Sequence, residues 1–196
     1  MIVLASASPR RQELLRHAGI AFTVQPADIN ETPLAGESPQ DCAERLAREK
    51  ALAVFQGREG DYVLGADTIV VVDGAILGKP RDRDDAERML RMLSGRKHAV
   101  ITGVCVVNPV VGGQWSVARK TDLITASETT LVTVCEVSDK EIRDYVATGE
   151  PMDKAGAYAI QGIASRWIPR IEGDYGNVVG LPVALVYRML RTRGAL

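Results

Sequence analysis

The chain has 196 residues, 46% of them apolar, and its 24 basic and 25 acidic side chains nearly cancel. That length buries one good core and allows a second small lobe, while the charge balance excludes a broad electrostatic grip on nucleic acid or on an anionic membrane. No charged leader precedes a sustained apolar stretch and no run approaches the roughly 18 to 20 residues of a membrane helix, so a soluble, cytoplasmic protein is expected. In chain order, Met1-Ile-Val-Leu-Ala5 reads as the end of a strand, followed by a sharp turn and a helix. Ser8 suits the N-cap and Pro9 the first helical position, where a missing N–H costs nothing. The helix runs from Pro9 to Ala18 and stops at Gly19, and a strand, Ile20 to Val24, follows. Gln25 to Gly36, with Pro26, Pro33, Asp28 and Glu31, reads as a surface loop, and Glu37 lies just past it.

Ser38-Pro39-Gln40-Asp41 repeats the helix start signal, and the helix after it spaces Ala43, Leu46, Ala47 and Val54 by threes and fours or their multiples. Lys50 falls on that same stripe, where it either snorkels past the core edge or points its ammonium at an anion. Tyr62 to Leu77 reads as a hairpin turning at Asp73-Gly74, the strongest short hairpin signal. A third helix spans about Asp84 to Leu93 and ends at Ser94-Gly95. Two long strands are expected next, His98 to Val107 and roughly Val117 to Val137, joined around Asn108-Pro109 and Gly112-Gly113. Ser138-Asp-Lys-Glu141 is a capping box opening a helix closed by Gly149. Glu150 to Gly162 is a loop dense in small residues, and a strand, Trp167 to Ile171, and a helix, about Pro182 to Arg191, complete the order. This succession gives a mixed α/β (α+β) architecture, a single domain over residues 1 to 196, around a mixed sheet. Cys42, Cys105 and Cys135 are odd in number without C-x-x-C spacing, and His17 and His98 stand apart, so the cysteines read as small buried apolar residues and not as a disulfide framework or zinc site.

Three stretches could carry chemistry. Arg10 and Arg11 place positive charge in the first turn of a helix, against the macrodipole. Either both are solvated, or an anion lies before them, and free amides, dipole and guanidinium forks together suit phosphate. Asp67, in "GADTIVVVDGAILGKP", is a carboxylate in an apolar strand with no basic neighbour in sequence. It needs a metal, a cation or several donors, or else it caps backbone amides at a turn. Thr68 offers a hydroxyl beside it. The hairpin returns a lysine, Lys79, toward the Asp67 end. Gly78-Lys79-Pro80 is no P-loop, because Pro80 stands where a magnesium-binding Ser or Thr belongs, but a lysine held between Gly and Pro still serves as a point charge for phosphate. In "GEPMDKAGAYAIQG" the small residues permit close backbone approach to a ligand or simply pack, and Gln161 carries the donor and acceptor needed to read a base edge.

The ordered set SASPRR, NET, REK, GADT, GKP, SGRKH, GEPMDKAGAY and IQG resembles the Maf family of nucleotide pyrophosphatases over nearly the whole chain. The resemblance implies an inosine-triphosphatase-like fold with a curved mixed sheet flanked by helices and two lobes with a central cleft. It implies a cytoplasmic, house-cleaning enzyme that hydrolyses nucleoside triphosphates to the monophosphate and pyrophosphate with a divalent cation, Mg²⁺, Mn²⁺ or Co²⁺. By motif, Asp67 matches the family's proton acceptor, and Arg10, Thr68 and Gln161 match positions tied to substrate choice. Ser8, Arg10, Arg11, Lys50 and Lys79 become candidates for phosphate contact, and Glu31 and Asp67 for the metal. GADT with a later IQG is similar to the branch acting on dTTP and UTP, whereas the 7-methyl-GTP branch typically has glutamine where this chain has Thr68. One departure is Ala159, where many relatives have glycine.

The alternative reading is a nucleotide-binding regulator of cell division without turnover, which needs the cations but not Asp67. An aspartyl-nucleophile phosphatase would want a second aspartate at position 69, which is isoleucine. RNA binding is disfavoured by the charge balance and by an aromatic content of 5%. The partner expected is a nucleoside triphosphate, with neither nucleic acid nor membrane, and an exposed edge of a long strand offers a homodimer contact.

Overall fold

The computed structural model describes residues 1–56, 60–109 and 122–196. Strands β1 (Ile2–Leu4), β2 (Thr23–Val24), β3 (Tyr62–Val72), β4 (Ala75–Leu77), β5 (Lys97–Val107), β6 (Leu123–Thr133) and β7 (Arg170–Glu172) alternate with helices α1 (Pro9–His17), α2 (Pro39–Phe55), α3 (Arg83–Leu93), α4 (Asp139–Ala147), α5 (Tyr175–Val179) and α6 (Val183–Thr192). The strands form one seven-stranded sheet in the order β2-β1-β3-β5-β6-β7, with β4 on β3. β1 pairs in parallel with β2 and β3, whereas β3–β4 and β6–β7 are antiparallel, so the sheet is mixed. Among the described residues no helix is long and apolar enough to cross a membrane.

By packing, the chain divides into two compact units, one formed by Met1–Asp67, Thr102–Glu128 and Gly180–Leu196, the other by Thr68–Ile101 and Thr129–Val179. In the first unit both faces of the sheet are covered, which is why its strands read as continuous apolar runs and not as alternations. Ile2, Leu4, Leu64, Ala66, Val104 and Val106 face one way, onto Leu15 of α1 and Leu185, Val186 and Leu190 of α6. Val3, Ala5, Val63, Cys105 and Val107 face the other way, onto Ala47, Ala51, Val54 and Phe55 of α2. The two-residue period of a strand therefore puts Gly65 and Asp67 on the α2 side. A Cβ at Gly65 would strike the Ala47 carbonyl oxygen and the Ala51 amide, and one at Gly103 would strike the Ala43 carbonyl. Helix α2 thus lies on the sheet backbone to backbone, with Ala43, Ala47 and Ala51 as its small contact stripe.

In the second unit, α3 and α4 cover strand residues Val70, Val72, Val100 and Val132 with Met89, Leu90, Leu93, Ile142, Tyr145 and Val146. The Asp73-Gly74 turn forms as expected, with positive φ at both residues (49° and 78°). The capping box at Ser138 and Glu141 is present, and α3, capped by Asp82, starts at Arg83, one residue before the expected Asp84.

Several expectations are corrected. The strand predicted over Ile20 to Val24 is reduced to Thr23–Val24, and that over Trp167 to Ile171 is displaced to Arg170–Glu172. Trp167 instead closes a 3-10 turn, Ile163–Trp167, and packs edge-on against Tyr145 at 5.2 Å between ring centroids. Pro169, without an N–H, cannot extend the ladder through it. The start predicted for β6 at Val117 and the Gly112-Gly113 turn lie outside the described residues. Its end falls at Thr133 and not at Val137, because the amides of Cys135 and Val137 turn to Trp167 O and Ser94 Oγ. Two short 3-10 turns, Glu150–Asp153 and Ala155–Ala157, stand in the stretch read as loop. Helix α5 is not foreseen in its glycine-rich sequence. Buried Asn177 holds it, donating to Val100 O at 2.9 Å and Thr130 Oγ1 at 3.0 Å. Cys42 and Cys105 are buried as read, but Cys135 is exposed.

Replacing Gly65 or Gly103 by alanine is expected to lower stability by at least the 1–3 kcal/mol or so of an overpacked core, measurable as a lower urea midpoint with unchanged slope. A parental midpoint would mean that α2 can lift off the sheet freely. A second expectation concerns acid. Burial pushes His98, whose Nε2 lies 2.9 Å from Tyr158 Oη, from 6.5 down to about 4. Between those values the unfolded chain takes up the proton first, so stability falls as the pH drops through this window, by on the order of 3 kcal/mol in full. Denaturant titrations at pH 7 and pH 4 should show the loss, and a His98→Gln variant should have a flatter slope over the same range.

Candidate active site

The close seating of α2 on Gly65 determines what meets Asp67. Lys50, one residue before Ala51, emerges from α2 beside the next inward-facing position of β3. Its Nζ lies 2.5 Å from Asp67 Oδ1 and 2.5 Å from Glu31 Oε1. Lys50 and Asp67 are both buried, at 7% exposure, while the Glu31 side chain is 45% exposed. Both open readings resolve together: the inward lysine points at anions, and the strand carboxylate has its cation. A buried charge pair of this kind is tolerated because each partner satisfies the other.

Ser8 caps α1, accepting from the Arg11 amide, and no acidic residue lies in the first turn. The two arginines then differ. Arg10 is half-buried, whereas Arg11 is buried, donating from Nε to Gly180 O at 2.7 Å and from Nη1 to Ser6 Oγ at 3.1 Å. Burial lowers the Arg11 pKa from its ordinary value, and the carboxylates of Asp67 and Glu31 oppose that shift. Part of the anion demanded by the first-turn arginines is therefore internal. The Arg10 charge opposes that of Arg11 and belongs to the same cluster.

Sequence reasoning missed the clamp that holds Glu31. Arg45 donates from Nε and Nη2 to the two oxygens of Glu37, at 2.6 and 2.9 Å, and from Nη2 to Thr32 O at 3.2 Å. This bidentate contact pulls Glu37 well below the usual carboxylate range, to about 2, and ties the loop after Asn30 to α2. The only signal in the sequence was the Arg45–Glu49 spacing on one helix face.

Thr68, Lys79 and Gln161 belong to the second unit. The β3–β4 register pairs Val70 with Leu77, so the hairpin carries Lys79 back along the Thr68 end of β3. Gly78 O accepts the Gly156 amide at 3.0 Å, tying that hairpin end to the loop that leads to Gln161. Gln161 and Lys79 are exposed and Thr68 is half-buried. Ala159 has no positive φ, so its methyl needs no strained backbone.

Among the described residues no group of three or more His, Cys, Asp or Glu side chains is arranged to hold a metal ion. The donors that fit a divalent cation are the Glu31 and Asp67 carboxylates, which share one ammonium. One or two carboxylates completed by substrate phosphates are what magnesium ordinarily takes from a protein.

The fold and the site together define a mixed α/β protein with a strand–turn–helix junction and a buried cation–carboxylate pair. The profile of the family described as Maf-like protein matches residues 1–193, and the chain belongs to that family. It is 57% identical over 195 residues to the dTTP/UTP pyrophosphatase of Koribacter versatilis (strain Ellin345), covering 100% of this chain and 95% of that protein. Identity to the dTTP/UTP pyrophosphatase of Geobacter sp. (strain M21) is 55% over 195 residues, covering 100% and 96%. With that of Syntrophomonas wolfei subsp. wolfei it is 50% over 191 residues, covering 97% and 96%.

Removing the shared cation should be costly. Lys50→Met leaves a buried carboxylate without its partner, and a loss of about 3 kcal/mol is expected. Asp67→Asn in the same background should return part of that loss. A double-mutant cycle by urea denaturation reads the coupling, and a value near zero would mean that the pair does not form in solution.

Proposed function

We propose that this chain hydrolyses nucleoside triphosphates, dTTP and UTP foremost and modified pyrimidine nucleotides with them, to the monophosphate and pyrophosphate, clearing the nucleotide pool of the cytoplasm. The observation that carries this reading is the Lys50–Asp67 pair, a buried carboxylate locked to a cation at 2.5 Å, in a chain whose relatives at 57% and 55% identity are named dTTP/UTP pyrophosphatase.

In this reading Asp67 accepts a proton from a water placed in line with the α-phosphorus. The water oxygen bonds to phosphorus, the bond to the bridging oxygen breaks, and the pyrophosphate leaves with the electron pair. Lys50 orients the acceptor by donating to Asp67 Oδ1. Ser8, Arg10, Arg11 and Lys79, with Lys50, supply donors and positive charge for the phosphates. A divalent cation, Mg²⁺, Mn²⁺ or Co²⁺, contributes charge neutralisation at the phosphate oxygens when bound, and Glu31 and Asp67 would hold it. Base choice rests on Thr68, Gln161 and Arg10, since the O4 and N3 edge of a uracil or thymine offers an acceptor and a donor that a carboxamide matches.

Anion-exchange analysis of products from dTTP, UTP, CTP, dATP, GTP and 7-methyl-GTP with Mg²⁺ tests the reading. Monophosphate and pyrophosphate from dTTP and UTP are expected. Orthophosphate and diphosphate would move the attack to the γ-phosphorus, and binding without turnover would leave a nucleotide-binding regulator. Asp67→Asn should stay folded by circular dichroism and lose at least the roughly hundredfold associated with a general base.

A further inference from the structure

The loop that carries Gln161 is held from beneath by Tyr145 and Glu150, a pair to which the sequence reading assigns no role. Tyr145, on α4, is 1% exposed and packs edge-on against Trp167. Its hydroxyl donates to Glu150 Oε1 at 2.8 Å and accepts the Ala159 amide at 3.2 Å. The Glu150 carboxylate in turn accepts the Ile163 amide at 3.0 Å through Oε1 and 3.3 Å through Oε2. Gly162 donates to Ala159 O at 3.0 Å, which closes the turn between those two anchors. The turn also lies directly on Glu150, since a Cβ at Gly162 would strike both of its carboxylate oxygens. Gln161 is thus bracketed, two residues after one anchor and two before the other, while its own side chain is exposed.

We propose that Tyr145 and Glu150 are positioning residues for base selection: they fix the Ala159–Ile163 backbone, and through it the direction of the Gln161 carboxamide. The inference rests on the reading of Gln161 as a base-edge reader. A carboxamide distinguishes uracil or thymine from cytosine only if its donor and acceptor are held in register, because cytosine presents the same two positions with donor and acceptor exchanged. An exposed side chain cannot hold that register by its own packing, so the turn beneath must be rigid. Burial raises the Tyr145 pKa, with Glu150 adding to the shift, which keeps the hydroxyl protonated and able to donate.

The test compares kcat/KM for dTTP with that for CTP in the parent, Tyr145→Phe, Glu150→Ala, Glu150→Gln and Gln161→Ala, with thermal midpoints measured alongside. Tyr145→Phe keeps the ring in its packing and removes only the hydroxyl, so it remains informative even if Glu150→Ala fails to fold. Tyr145→Phe and Glu150→Ala should lower the dTTP:CTP ratio by about tenfold, as misplacing a specificity group does. Glu150→Gln, which retains an acceptor for the Ile163 amide, should recover most of the ratio. A loss of kcat/KM by the same factor for both nucleotides, with the ratio unchanged, would make the pair merely structural and overturn the proposal. If Gln161→Ala lowers the ratio while Tyr145→Phe and Glu150→Ala leave it at the parental value, positioning fails and the role of Gln161 stands. If Gln161→Ala leaves the ratio unchanged, that role fails and the proposal with it.

Discussion

The arrangement in the first unit depends on one steric constraint, the direct contact between the backbone of α2 and the sheet at Gly65 and Gly103. Larger side chains there would hold the helix at an ordinary helix-on-sheet distance, and a lysine side chain from α2 would meet Asp67 with slack. With Ala43, Ala47 and Ala51 on the contact stripe and nothing beyond hydrogen on the strands, Lys50 reaches Asp67 and Glu31 at once. A two-residue strand period and a small-residue helix face are enough to bring an acid from β3 and a base from α2 into one buried pair.

Electrostatics then follows from burial. Arg11 would lose much by leaving water, and the fields of Asp67 and Glu31 offset part of that loss. The carboxylates gain in turn from Lys50. The cluster therefore holds together through its own opposite charges. The Arg45–Glu37 clamp matters here because Glu31 is the most exposed member of the cluster. A loop free to swing would leave Lys50 shared with Asp67 alone.

Regular elements were readable wherever the signal was local. The Ser8 and Ser38 caps, the Ser138 capping box, the Asp73-Gly74 turn and the apolar stripe of α2 all appear where short-range chemistry puts them. What failed depends on distant partners. Helix α5 exists because Asn177 finds Val100 and Thr130, and the strand expected at Trp167 is absent because its indole is drawn against Tyr145. The site divides in the same way. Asp67 and Lys50 each stood out as polar residues in apolar patterns, but their pairing, 17 residues apart in sequence, was not visible. Arg45 showed only its Glu49 spacing and Glu150 only its place in the small-residue stretch, while Glu37 and Tyr145 gave no sign of the partners they take.

The division into units falls between Asp67 and Thr68, two neighbours on one strand to which we assign different tasks. Asp67 is held by the α2 seating and Lys50. Thr68, Lys79 and Gln161 are held by the packing of the second unit, through the β3–β4 register, the Gly156–Gly78 contact and the Tyr145–Glu150 pair. The contacts that hold Asp67 and those that hold Gln161 are thereby separate sets. On the roles proposed above, a change at the turn around Ala159 alters base preference without touching the Lys50–Asp67 pair, so selectivity is free to vary while the reaction stays constant.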